Sequence, residues 1–147
     1  MKTIRIVFLL LFSLSIAATN ATAQETIKIT FKYKFINVND GFDHISRMKV
    51  YLDGNLIGTS NPDGTSSDAS LIHKETTENI FAVEVPKGFH KLRAIVEAYY
   101  QGTWEEHLKE NSYALDCLYE KSMDFNKAMN VELEFDIEKE ITVIVKE

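Results

Sequence analysis

Thr26-Ile27-Lys28-Ile29-Thr30-Phe31-Lys32-Tyr33-Lys34-Phe35 alternates apolar and polar residues without a break. On a pleated backbone successive side chains leave opposite faces, so a period of two marks a strand with one buried face. Ile27, Ile29, Phe31, Tyr33 and Phe35 then share the core side, and Lys28, Lys32 and Lys34 share the solvent side. Three outward lysines suit an edge strand, where they discourage pairing with other chains.

The same period recurs outward from this stretch. Met48, Val50 and Leu52 alternate with Lys49 and Tyr51, Asp53-Gly54 follows, and Leu56-Ile57-Gly58 resumes beyond it. Asp-Gly between two such runs predicts a hairpin, because a type I′ turn needs positive φ at both central residues. Residues 80–85 read as a strand ended by Pro86-Lys87-Gly88. Leu92, Ala94, Val96 and Ala98 then form one apolar face, alternating with Arg93, Ile95, Glu97 and Tyr99. Val131, Leu133, Phe135 and Ile137 alternate with acidic residues, and Ile141, Val143 and Val145 alternate with Thr142, Ile144 and Lys146.

The intervals are less regular. Residues 37–41 read as a turn, and residues 60–70 as a polar surface loop. Residues 71–79 fit a short helix or an irregular link. Around Trp104 a helical turn is expected, with Glu106 and Glu110 on one face, and residues 113–119 suit a strand. The whole predicts an all-β fold: an antiparallel immunoglobulin-like β-sandwich of about seven strands, with at most one or two short helical segments.

Residues 1–23 have the three parts of an export signal: Lys2 and Arg5, an apolar run over 6–16, and Ala21-Thr22-Ala23. The run is shorter than the roughly 20 residues a membrane helix needs. The predicted organisation is a signal peptide at 1–23 and a single β-sandwich domain at 24–147, exported to the periplasm or secreted, with no membrane span after processing. The 124 residues left carry 14 basic and 22 acidic side chains, a net charge of −8. Such a balance disfavours nucleic acid and anionic membrane as partners. Cys117 is the lone cysteine, so no intramolecular disulfide is available and packing must supply the stability.

Two segments carry a family likeness. Met48-Lys-Val-Tyr-Leu-Asp-Gly-Asn-Leu-Ile-Gly-Thr and the later Pro86-Lys-Gly-Phe-His-Lys-Leu-Arg-Ala resemble PEGA-type domains. Asp53, Gly54, Ile57 and Gly58 match that family's hairpin, and Gly88 and His90 match its Gly-x-His strand opening; the likeness covers residues 47–100. Pro86-Lys87-Gly88-Phe89 replaces the Pro-Glu-Gly-Ala that names the family, and the link between the two halves is longer. The resemblance implies a small extracytoplasmic β-sandwich accessory module with no catalytic site.

Motifs for chemistry are absent. His44, His73, His90 and His107 stand no closer than 17 residues apart, and no His-Glu-x-x-His or Cys-x-x-Cys occurs. No metal site, catalytic residue or cofactor is predicted. Asp63 and Asp68 lack the spacing of an EF-hand loop. A nucleophilic pairing of Cys117 with a histidine competes with a role for Cys117 as a small buried hydrophobe, which its apolar alternation favours. Tyr99, Tyr100 and Trp104 cluster where a long strand meets Gly102. By parity Tyr100 turns inward and Tyr99 outward, and a bend at Gly102 returns Trp104 beside Tyr99. These three are the candidate binding residues, for a protein or glycan partner; Trp104 as a plug for the end of the core is the competing role. The resulting function is an exported non-catalytic binding or supporting module. A small exported hydrolase built from scattered His, Asp and Glu, and a secreted enzyme inhibitor, are the alternatives.

Overall fold

The computed structural model describes residues 24–38, 44–60, 70–72 and 78–147. The expected export signal at 1–23, residues 61–69 of the expected polar loop at 60–70, His73 and the side chain of His44 lie outside the described residues.

Four strands form one sheet: β1 (Thr26–Ile36), β5 (Asn79–Pro86), β9 (Met129–Asp136) and β10 (Ile141–Lys146), in the order β10-β9-β1-β5. Six form the second: β2 (His44–Leu52), β3 (Asn55–Thr59), β4 (Ser70–Ile72), β6 (Gly88–Tyr100), β7 (Thr103–Glu106) and β8 (Leu118–Phe125). In it β2 lies beside β6 and carries β3 and β4, while β7 and β8 both pair with β6. The chain is therefore an all-β sandwich, with more strands than the seven expected. A single 3₁₀ turn, Lys109–Asn111, stands where a helical turn near Trp104 was expected, and Glu106 lies in β7 rather than on a helix face with Glu110.

β1 keeps its sequence pattern: Ile29 and Phe31 are fully buried, and Ile27, Tyr33 and Phe35 nearly so. Its position does not match the edge expectation, because β1 sits between β5 and β9. The lysines serve a different purpose there. Lys32 and Lys34 stand opposite Glu132 and Glu134 of β9, and Lys34 Nζ reaches Glu134 Oε1 at 2.7 Å. Opposite charges on directly opposed residues support the pairing. That pairing is parallel, so the sheet is mixed and the expectation of a wholly antiparallel sandwich is corrected.

Both glycine-containing hairpins close as the turn chemistry dictates. Asp53 (φ 49°) and Gly54 (φ 83°) join β2 to β3, and Gln101 (φ 48°) and Gly102 (φ 87°) join β6 to β7. Positive φ at both central residues is the requirement of type I′. The core fills the space between Ile29, Phe31, Phe35, Val131, Leu133 and Phe135 on one side and Met48, Val50, Leu92, Val96 and Phe125 on the other. The excursion between β7 and β8 bridges the sheets at one side: Thr142 Oγ1 donates to Asp116 O at 2.7 Å, and Lys109 lies 3.5 Å from Glu140.

β10 is a strand, as its alternation predicts, but lies largely at the surface. Thr142 and Ile144 oppose Phe135 and Leu133, whose side chains are buried, so Ile141, Val143 and Val145 do not form a core face. They are exposed, and so is Ile144.

Asp136 is buried at the end of β9 and accepts Asn37 Nδ2 at 3.0 Å, Lys139 N at 3.0 Å and Lys139 Nζ at 2.8 Å. The Asn37 bond first, then those from Lys139, pull its pKa down to about 2. A depressed carboxylate stabilises the fold above its ordinary value near 3.8, and that contribution disappears as pH falls towards 2. Asp136→Asn is therefore expected to lose less stability than the parent between pH 4 and 2, read as a shallower fall in urea midpoint (pH values approximate).

Candidate functional site

The face of the six-stranded sheet turned away from the core carries the aromatic cluster. Tyr99 stands opposite Trp104 across the β6–β7 hairpin, with ring centres 5.2 Å apart and planes tilted by 50°. Both sit next to a charged row. The Arg47 guanidinium lies 4.1 Å from the centre of the Trp104 ring, and its Nε donates to Glu97 Oε2 at 2.6 Å. Lys49 Nζ donates to the other oxygen, Glu97 Oε1, at 2.7 Å. Glu97 keeps 7 % of its side chain exposed, which makes this a shielded two-cation, one-anion cluster and not a loose surface pair. Arg93 extends the row, 3.3 Å from Glu106 Oε2 and 5.8 Å from the Tyr51 ring centre.

The structure brings Tyr99 and Trp104 together as the bend at Gly102 implies. Trp104 lies outside the core cluster and is half-buried on the outer face, so it does not plug the sandwich. Tyr100 corrects the parity argument: it is 44 % exposed and Tyr99 39 %. The buried run of β6 ends at Ala98, and the two residues that carry the strand into the hairpin are both exposed. Arg47 and Glu97 escaped the sequence reading. Glu97 was visible as a charge within an apolar strand, but its partners come from β2, and cross-strand register is not written locally.

Because Trp104 contacts Arg47 and Tyr99 rather than the core, Trp104→Ala is expected to cost about 1–2 kcal/mol, from a partly exposed cation–π contact and one aromatic pair. Urea unfolding checks it; a loss of about 3–5 kcal/mol is the signature of a core residue instead.

Cys117 and His107 do meet. His107 Nδ1 lies 3.1 Å from Cys117 Sγ and 3.2 Å from Leu115 O. Both residues are buried, and His107 stacks on Tyr113 with 4.2 Å between ring centres. Burial, with a smaller push from Asp116, drives the thiol pKa well up, so the sulfur stays protonated. A neutral thiol sealed in a core is a poor nucleophile. Cys117 packs as the small hydrophobe that its apolar neighbours implied.

Asp53 and His90, the two polar residues of the PEGA-type resemblance, also come together. Asp53 Oδ1 accepts Lys91 N at 2.9 Å, Oδ2 lies 2.7 Å from His90 Nδ1, and Asp53 N donates to Lys91 O at 2.8 Å. These bonds, the Lys91 N–H first, lower the Asp53 pKa and clamp the β2–β3 turn to β6. Among the described residues no group of three or more His, Cys, Asp or Glu side chains is placed to hold a metal ion. Among the same residues no helix is long and apolar enough to cross a membrane. A groove of about 410 Å³ lies at the other end of β6, lined by Met123, Met129, Lys127 and Lys146 with Asp124 and Glu147.

No family model matches this chain, and no curated protein matches it.

Proposed function

We propose that this chain is an exported, non-catalytic β-sandwich module that binds a protein partner through the outer-face cluster of Tyr99, Tyr100 and Trp104, with Arg47. The observation that carries the reading is the exposure of Tyr99 and Tyr100 beside an indole held between Arg47 and Tyr99. Tyr, Trp and Arg dominate binding hot spots because they add large contact area with a polar handle. The Glu97 carboxylate fixes Arg47, which holds the indole in place before any partner arrives. Ordering costs on binding fall accordingly. A glycan is the weaker reading, since Arg47 lies over the indole ring on which a sugar would stack. The inward, protonated Cys117 supports the non-catalytic part, as it removes the best-placed nucleophile of the hydrolase alternative. The PEGA-type likeness belongs to the same proposal, and Asp53 and His90 contribute to it only as fold-holding residues.

The test is photo-crosslinking in cells that export the chain, with p-benzoylphenylalanine at Tyr99 and, as control, at exposed Glu84 on the other sheet. A protein adduct formed at position 99 and not at 84 supports the reading, provided that Tyr100→Ala reduces it. Equal labelling at both positions, or none at 99, overturns it.

A further inference from the structure

The groove of about 410 Å³ lies where the two sheets part, between the end of β8 on one side and the start of β9 and end of β10 on the other. Its volume is within the roughly 300–1,000 Å³ of small-molecule sites. Met123 and Met129 give it an apolar floor. Both are partly buried and pack on the core, on the same strand faces as the buried Phe125 and Val131. Asp124 stands on the other face of β8, opposite Phe89, and is exposed.

The charges divide into a paired set and an uncommitted one. Lys121 Nζ donates to Glu147, whose other carboxylate oxygen accepts Tyr119 Oη at 2.8 Å. Those bonds, the one from Lys121 first, hold the Glu147 carboxyl below its ordinary pKa, so that carboxylate is already matched. Lys127 and Lys146 are exposed, and among the described residues neither forms an ion pair. A chain that is strongly acidic as a whole thus sets two free ammonium groups around a thioether floor.

We propose that this groove binds a straight-chain aliphatic carboxylate, with the tail along Met123 and Met129 and the head group held by Lys127 and Lys146. Methionine is unbranched and adaptable, which suits a flexible methylene chain. Ammonium groups hold a carboxylate as point charges and demand no fixed geometry. Among the described lining residues there is no arginine fork for a phosphate and no aromatic ring for a base to stack on. The site is at the opposite end of β6 from Tyr99 and Trp104, so it does not depend on the partner surface proposed above.

Decanoate titrated into the chain labelled with methyl-13C methionine tests this. Met123 and Met129 report from the groove, and Met48, fully buried in the core, is the internal control. The expected result is a saturable sub-millimolar shift of Met123 and Met129 with Met48 unmoved. Lengthening the probe from octanoate to nonanoate to decanoate should tighten binding about three- to fourfold per methylene. Decanol, which keeps the tail and loses the charge, should bind about tenfold more weakly or worse. Lys127→Glu with Lys146→Glu should impose a similar loss on decanoate, with melting unchanged because both positions are exposed. The decanol comparison decides the matter if the double variant fails to fold. No saturable shift, equal movement of Met48, or indifference to tail length, to the head-group charge or to the two lysines overturns the proposal. So do phosphatidylglycerol vesicles that sediment the chain and shift the same two methyls, since a membrane surface is then the ligand.

Discussion

Val96→Asp is expected to destabilise the domain by about 4 kcal/mol or more. Val96 has no exposed surface and lies in the middle of β6. Its backbone is held on both sides: Met48 of β2 opposes it, its N–H donates to Cys117 O at 3.0 Å, and its carbonyl accepts His107 N at 2.8 Å. The strand cannot rotate the new carboxylate outward without inverting every residue from Leu92 to Ala98. The charge would therefore sit in the core, where its pKa must rise. The sign of the pH effect follows. A raised carboxyl is neutral at lower pH, so the variant's deficit against the parent should shrink between pH 7 and about 4. Val96→Ala, which leaves only a small cavity, should cost about 2 kcal/mol and show no such pH effect. Urea titrations of both variants at the two pH values are the measurement, and an equal, pH-independent loss would contradict the assigned facing.

Gly58→Ala should cost roughly 1–3 kcal/mol, although its backbone conformation is one that any residue adopts. The reason is space. A Cβ at position 58 would lie 2.8 Å from Val83 Cγ1 and 3.0 Å from Phe81 Cζ, where β3 approaches β5 of the other sheet. Val83 is buried and β-branched, with little freedom to yield. A double-mutant cycle separates this steric cause from a general propensity effect. Val83→Ala removes the obstructing methyls, so the pair should be destabilised by less than the sum of the single changes. Strict additivity in thermal or urea unfolding would show that the close approach is not the cause.

Much of the sandwich was legible because its buried strands alternate. The face of β1 from Ile27 to Phe35 and the face of β6 from Leu92 to Ala98 are both as the period dictates. Asp53-Gly54 announced its turn. The failures share a cause: each depended on which strands neighbour one another. Three lysines read as an edge signal, but Glu132 and Glu134 on β9 stand opposite Lys32 and Lys34, and Glu84 on β5 stands opposite Lys28, which lets them sit in a central strand. The valines of β10 read as an ordinary alternating run, but the strand lies at the rim of the sheet, where neither face is well covered. The candidate site divides the same way. Tyr99 and Trp104 are five residues apart around a glycine turn, so their meeting was readable. Arg47 and Glu97 are 50 residues apart and meet through the β2–β6 register, which no local pattern encodes.

The parallel pairing of β1 with β9 also has a consequence for the order of events during synthesis. Ile29 lies opposite Met129, a hundred positions downstream, and its other neighbour, Val83, is itself far along the chain. The first strand to leave the ribosome thus has no nearby strand to zip onto. Loop closure of that length makes assembly slow. β1 therefore stays incompletely paired until the final quarter of the chain has emerged, and under the proposed export that delay leaves the first strand free to thread through a translocation pore.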